Sequence, residues 1–210
     1  MRLVEIGIKE LQNLVNKSAD ISLNTFDKAK KAIEEGKASE AREEVKKNVE
    51  ELRKLREEID ELALEIIARY QPLASELRFV KASMDLGYAF MRFGRYSYDA
   101  LAAFARAQSL NVKCEPQYYS KLAPIVERMM SDAITSLKKR DALLALKVIS
   151  KDDEVDEIYH NALIEIMKGY KNVPCAVVEA LSLKFLERAA DHSAHVAAQT
   201  VFIVEGRYPE

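Results

Sequence analysis

The stretch Val45-Lys46-Lys47-Asn48-Val49-Glu50-Glu51-Leu52-Arg53-Lys54-Leu55-Arg56-Glu57-Glu58-Ile59-Asp60-Glu61-Leu62-Ala63-Leu64-Glu65-Ile66 decides the fold class. Val45, Val49, Leu52, Ile59, Ala63 and Ile66 recur at alternating three- and four-residue intervals, which lines them up along one side of an α-helix. The surface between them is almost entirely Glu, Lys and Arg. Such a charged surface is either a docking face or a solvated helix side, and the solvated side is the commoner outcome.

Working outward, breaker residues are sparse enough to punctuate the chain clearly. They fall at Gly36, at Pro72, over 108–116, at Arg140 and Asp141, and over 169–174. These breaks predict six helices, over residues 4–35, 39–69, 72–107, 116–139, 141–170 and 174–204. Ser39 is the expected N-cap of the second helix, and Pro72, Pro116 and Pro174 suit first-turn positions where a missing N–H costs nothing. Short connections make neighbouring helices antiparallel. Gln71-Pro72-Leu73-Ala74 and Val173-Pro174-Cys175-Ala176 each open a long helix after an amphipathic one, so the chain reads as an internal repeat. The expected fold class is all-α, as two tandem three-helix units over 1–110 and 111–210 that could share one core.

Composition agrees. Of 210 residues 49% are apolar and 31% charged, with only six Gly and five Pro, a balance typical of long helices. The 32 basic and 34 acidic side chains nearly cancel, so nothing draws the whole chain to nucleic acid or to an anionic membrane. No apolar run approaches the length of a membrane span, and the N-terminus lacks the apolar core of a signal peptide. Cys114 and Cys175 sit in unrelated contexts, with no zinc spacing; they are expected to be unpaired thiols in a reducing, cytoplasmic setting.

The last helix carries the chemistry. Glu187, Asp191 and His195 recur every four residues and share a face with Leu183, Ala190 and Ala194, small apolar residues that argue against free solvation. Asp152 and Asp156 interrupt the apolar stripe of the preceding helix in the same way. Counting back from the intervening turn sets Asp156 level with Asp191 and Asp152 level with His195. Carboxylates converging between antiparallel helices cannot all stay ionised and unpaired, because burying an uncompensated one costs several kcal/mol. Either a metal ion held by Asp, Glu and His satisfies them, an oxygen-rich set that suits iron, manganese or magnesium, or Lys147, Lys184 and Arg188 do. His192 points about 140° away from Glu187 and is expected on the outer face; His160 is expected to be structural.

In the first unit the matching stripe reads Tyr88, Met91, Arg95, Tyr98 and Asp99, where Arg95 and Asp99 are placed to pair with each other. There is no GxSxG, Walker loop or HExxH, and Glu-x-x-His occurs once, at Glu157–His160, rather than on each of two helices, so binding is favoured over catalysis.

The stretch Ile66-Ile67-Ala68-Arg69-Tyr70-Gln71-Pro72-Leu73-Ala74-Ser75-Glu76-Leu77-Arg78-Phe79-Val80 resembles the signature of the PhoU family of phosphate-uptake regulators. Glu187-Arg188-Ala189-Ala190-Asp191-His192 is similar to that family's Glu-Arg-x-Gly-Asp-His motif, and residues 152–156 to its paired-aspartate segment. The resemblance implies two three-helix bundles, self-association as a homodimer, and metal on acidic motifs, whether iron, manganese, zinc or magnesium. It also implies an adaptor role between the ATPase of a phosphate ABC transporter and a sensor kinase, without enzymatic turnover. The family's first motif falls on Met91-Arg92-Phe93-Gly94-Arg95, which lacks both acids, while Val49 and Arg53 stand where the acids of the paired segment would lie. The metal expectation is therefore confined to Asp152, Asp156, Glu187 and Asp191, with His195 added on helical geometry alone. A metal-free scaffold and a carboxylate-bridged metalloenzyme are the alternatives.

Overall fold

A computed structural model describes residues 3–209, and among them every regular element is an α-helix. The first repeat comprises α1 (Leu3–Glu34), α2 (Ala38–Tyr70) and α3 (Ser75–Ser109). The second comprises α4 (Tyr119–Lys139), α5 (Ala142–Ile149), α6 (Asp152–Gly169) and α7 (Val173–Glu205). Val45, Leu52, Ile59, Ala63 and Ile66 of α2 are all fully buried, while the Glu, Lys and Arg residues around them are largely solvated. The two repeats share one core: α3 packs along α7 and α1 against α4, in a single apolar cluster running from Val4 to Ile203.

Three helix ends close with the same hydrogen-bond pattern, in which one N–H reaches back five residues and the preceding one reaches back three. After α1, Lys37 N–H donates to the Ala32 carbonyl and Gly36 N–H to that of Ile33, with Gly36 at φ +70°. After α3 the left-handed position is Asn111, and after α4 it is Arg140, at φ +57° and +52°.

Several boundaries differ from expectation. Ser39 is the second residue of α2 rather than its N-cap; its backbone N–H is satisfied from α3, by the Gln108 side-chain oxygen at 2.8 Å. That amide's nitrogen donates to the Gly36 carbonyl at 2.7 Å, so one side chain stitches the α1–α2 turn to the end of α3. Pro72 and Pro116 lie in the extended approaches to α3 and α4, whereas Pro174 does occupy the first turn of α7.

The expected helix over 141–170 is broken at Ser150 and Lys151. Asp152, Asp153 and Glu154 would be adjacent acids inside a continuous helix; the break instead places them in the first turn of α6, where the positive end of the helix dipole stabilises them. The unpaired-thiol expectation is overturned, since Cys114 and Cys175 form a disulfide. Sixty-one residues separate them, and only the return of α7 to the inter-repeat connector brings them together.

Candidate metal centre

The site is built where the first two turns of α6 face the middle of α7. Asp156, Glu187 and Asp191 each bring a carboxylate oxygen within 4.8 Å of the other two. That is near the roughly 4 Å separating opposite oxygens around a cation held at about 2.1 Å. Glu187 is buried, and the two aspartates are half-buried.

Asp152 lies one turn before Asp156, and one of its oxygens is buried with no hydrogen-bond partner. Burial, then Asp191, Asp156, Asp153 and Glu187, push its carboxyl up to about 6. Asp191 is raised by burial and by Glu187, with Arg188 opposing. Two cations reach the group. Lys184 Nζ lies 2.6 Å from Glu187 Oε2, and Arg188 Nη1 lies 3.4 Å from Asp191 Oδ2. Lys147 is exposed and makes no ion pair among the described residues. Four carboxylates against two cations leave a local excess of two negative charges, with an oxygen-only donor set that fits a hard cation.

His195 does not join this group. It is exposed, with its Nε2 3.4 Å from the Gln199 side-chain nitrogen, and it is absent from the charges that act on Asp152. Asp156 meets Asp191, as the count of levels predicted, while Asp152 feels the charge of Asp191 and not that of His195. His160 also stays outside, bonded to the Asp156 carbonyl at 2.8 Å. His192, expected on the outer face, instead packs between the repeats. Its ring lies edge-on to Tyr96 at 5.5 Å and 5.9 Å from Tyr88. Burial first, then Arg92, His195 and Arg188, hold it down to about 4, so it is neutral at physiological pH.

Among the described residues the corresponding face of the first repeat gathers no three potential metal ligands. Arg95 pairs with Asp99 at 2.8 Å, as the spacing predicted. Arg92 stacks 4.5 Å over the Tyr96 ring. Gly94 lies so close to α2 that a Cβ there would stand 2.4 Å from Leu52 Cδ1.

One residue that sequence reasoning passed over is Glu179. It is fully buried and accepts the Tyr118 and Tyr119 N–H groups at 3.2 and 3.0 Å, satisfying donors at the start of α4. Its signal was its place on the same buried stripe as Ser182, Leu183 and Leu186, where an acid needs a partner.

The sequence matches the PhoU domain over residues 15–102 and again over 119–200. A phosphate-specific transport system accessory protein PhoU homolog of Aquifex aeolicus is 31% identical over 182 residues, covering 86% of this chain and 81% of that one. Homolog 1 of Methanothermobacter thermautotrophicus is 23% identical over 208 residues, covering 96% and 95% of the two chains. The crystal structure of PhoU from Pseudomonas aeruginosa superposes with a TM-score of 0.90 over 97% of this chain and 99% of that one, at 21% identity. The PhoU crystal structure from Streptococcus pneumoniae gives 0.81 over 99% of each, at 22% identity. With two domain matches spanning most of its length and the same fold as both crystal structures, this chain belongs to the PhoU family.

Proposed function

We propose that this protein is a regulator of phosphate transport that acts by binding and not by turnover, docking at the cytoplasmic face of a phosphate ABC transporter on its ATPase. The single observation that carries this reading is the family membership, supported by a relative named as a phosphate-specific transport system accessory protein PhoU homolog that matches 86% of the chain. No helix of the described residues is long and apolar enough to cross a membrane, which fits a protein that reaches a transporter from the aqueous side. A sensor kinase is the second partner, and the working form is a homodimer. The division into units at 1–110 and 111–210 belongs to the same proposal. Co-purification of the full chain with the transporter ATPase, with and without phosphate, tests the reading. Failure to associate in any phosphate or metal condition overturns it.

Metal belongs to the same proposal. Asp152, Asp156, Glu187 and Asp191 hold an iron, manganese, zinc or magnesium ion, on the strength of their excess negative charge and the unpartnered Asp152 oxygen. The metal's task is to fix α6 against α7 and shape that face. His195 is kept as a further ligand only if its ring swings inward. A metal-free scaffold is favoured by one observation, the Lys184–Glu187 contact at 2.6 Å, which already neutralises the one buried carboxylate of the four. Elemental analysis of protein purified without chelator, beside Glu187→Ala/Asp191→Ala, separates the two.

A further inference from the structure

On a different face from the acidic cluster, the C-terminal half of α3 and the N-terminal half of α7 border an open groove of about 650 Å³. Its α3 side is made of small residues, Ala102, Ala103 and Ala107, which let another backbone approach closely. Its α7 side presents Val177, Leu181 and Phe185, one per turn. Val177 and Leu181 are 53% and 48% exposed, and Leu110 at the groove's end is 70% exposed. From Pro174 to Phe185 the trough runs about 16 Å, or three helical turns.

The rim is cationic. Arg42, Arg95 and Arg106 line it, against Asp99 as the lone lining acid. Arg95 is neutralised by Asp99 at 2.8 Å, whereas Arg42 donates to the uncharged Tyr98 hydroxyl at 3.2 Å. Arg42's acidic neighbour Glu43 does not line the groove. Arg106 is exposed and makes no ion pair among the described residues. Two guanidinium groups therefore stand uncompensated beside an exposed apolar strip.

We propose that this groove docks a short amphipathic helix of a partner protein, with apolar residues at i, i+3 or i+4, and i+7, and Asp or Glu along its flanks. The apolar strip supplies the affinity of a helix-in-groove contact, and the arginines select acidic flanks and fix orientation. A basic helix is repelled by the same rim. The inference rests on neither the metal reading nor the phosphate reading, so it stands or falls separately.

The test is selection of a displayed library of 14-residue helical peptides on the full chain, followed by anisotropy titration of the enriched peptides. Enrichment of acidic amphipathic sequences is expected. Leu181→Glu should weaken their binding by about 10-fold or more, and Arg106→Glu by about threefold to tenfold, with the second loss recovered by a peptide carrying Glu→Lys. Both positions are solvent-exposed, and Val177→Lys repeats the apolar test should either variant unfold, as checked by circular dichroism. Four outcomes overturn the proposal. No amphipathic sequence is enriched; basic ones are; the variants bind as well as the parent; or Leu181→Glu changes sedimentation from dimer to monomer or abolishes binding to anionic phospholipid vesicles, which would make a second copy or a membrane the occupant.

Discussion

Aligning Met91 and Arg95 of α3 with Glu187 and Asp191 of α7 sets two halves of one fold side by side with opposite chemistry. The offset pairs Tyr96 with His192, Asp99 with His195, Gly94 with Ala190 and Ser83 with Glu179. In the first repeat Arg95 pairs with Asp99, Arg92 lies over the uncharged Tyr96 ring and donates to its hydroxyl, and α2 closes onto Gly94. In the second, two negative charges remain over and an Asp152 oxygen has no partner. The difference teaches that one helical scaffold tolerates opposite charge at matching positions: arginines stand on the face of the first half where carboxylates gather on that of the second. Ser83 and Glu179 repeat the lesson, since Ser83 bonds back to its own helix at the Phe79 carbonyl while Glu179 reaches across to α4.

The strongest way to break the comparison is to open the covalent loop that only the second repeat possesses. Cys114→Ser/Cys175→Ser, or reduction, should cost about 4 kcal/mol for a loop of this length, read as a shift in urea midpoint. Hydrogen exchange should localise that loss to α4 through α7, leaving α1 and α2 protected.

Next in size is the cation itself. Manganese or iron(II) at about a hundred times its Kd should stabilise the protein by about 2.7 kcal/mol, raising the Tm in a differential scan. Glu187→Ala/Asp191→Ala should abolish the rise, while Arg95→Ala in the first repeat should leave it intact. A gain unaffected by the double variant would move the metal elsewhere.

Glu179→Ala should cost about 2 kcal/mol, because it leaves the Tyr118 and Tyr119 N–H groups buried without acceptors. Ser83→Ala at the matching position removes only a bond within its own helix and should cost less than half as much in the same urea titration.

A smaller effect comes from pH. Asp152 ordinarily titrates at 3.8 and is held up to about 6, so the folded protein keeps this proton more tightly than the unfolded chain does. Without metal, the contribution of Asp152 to stability is most favourable below pH 4 and falls as pH rises from about 4 to about 6, by on the order of 1 kcal/mol once solvent screening of a half-exposed group is allowed for. Asp152→Asn should flatten that slope in thermal melts at successive pH values, and no change in slope would reassign it to another group.

Smallest is the contrast between turns. Gly36→Ala should lose up to about 1 kcal/mol at φ +70°, and Arg140→Gly should gain a few tenths of a kcal/mol at φ +52°, both from chemical denaturation.

Helix period, sparse breakers and the acids at 152, 156, 187 and 191 were legible in the residue order alone. Local rules reach as far as a helix and its ends, so the buried stripe of α2, the turn at Gly36 and the Arg95–Asp99 pair came out as read. Those rules do not extend to partners distant in the chain. Gln108 stands in for the N-cap assigned to Ser39, Cys114 finds Cys175 across 61 residues, and Glu179 finds the start of α4, each through α3 or α7 returning past another element. The α6 break was equally beyond periodicity: a helical pattern persists through Ser150 and Lys151, and only the packing of α5 and α6 separately on α7 shows that two axes serve it. Asp152 lies within reach of the Asp191 charge, and His195 is exposed on α7. Which residues are helical and which faces are apolar is thus a property of the sequence. Which acids meet is a property of the tertiary structure, because convergence depends on where two helix axes cross, and no local interaction encodes that crossing.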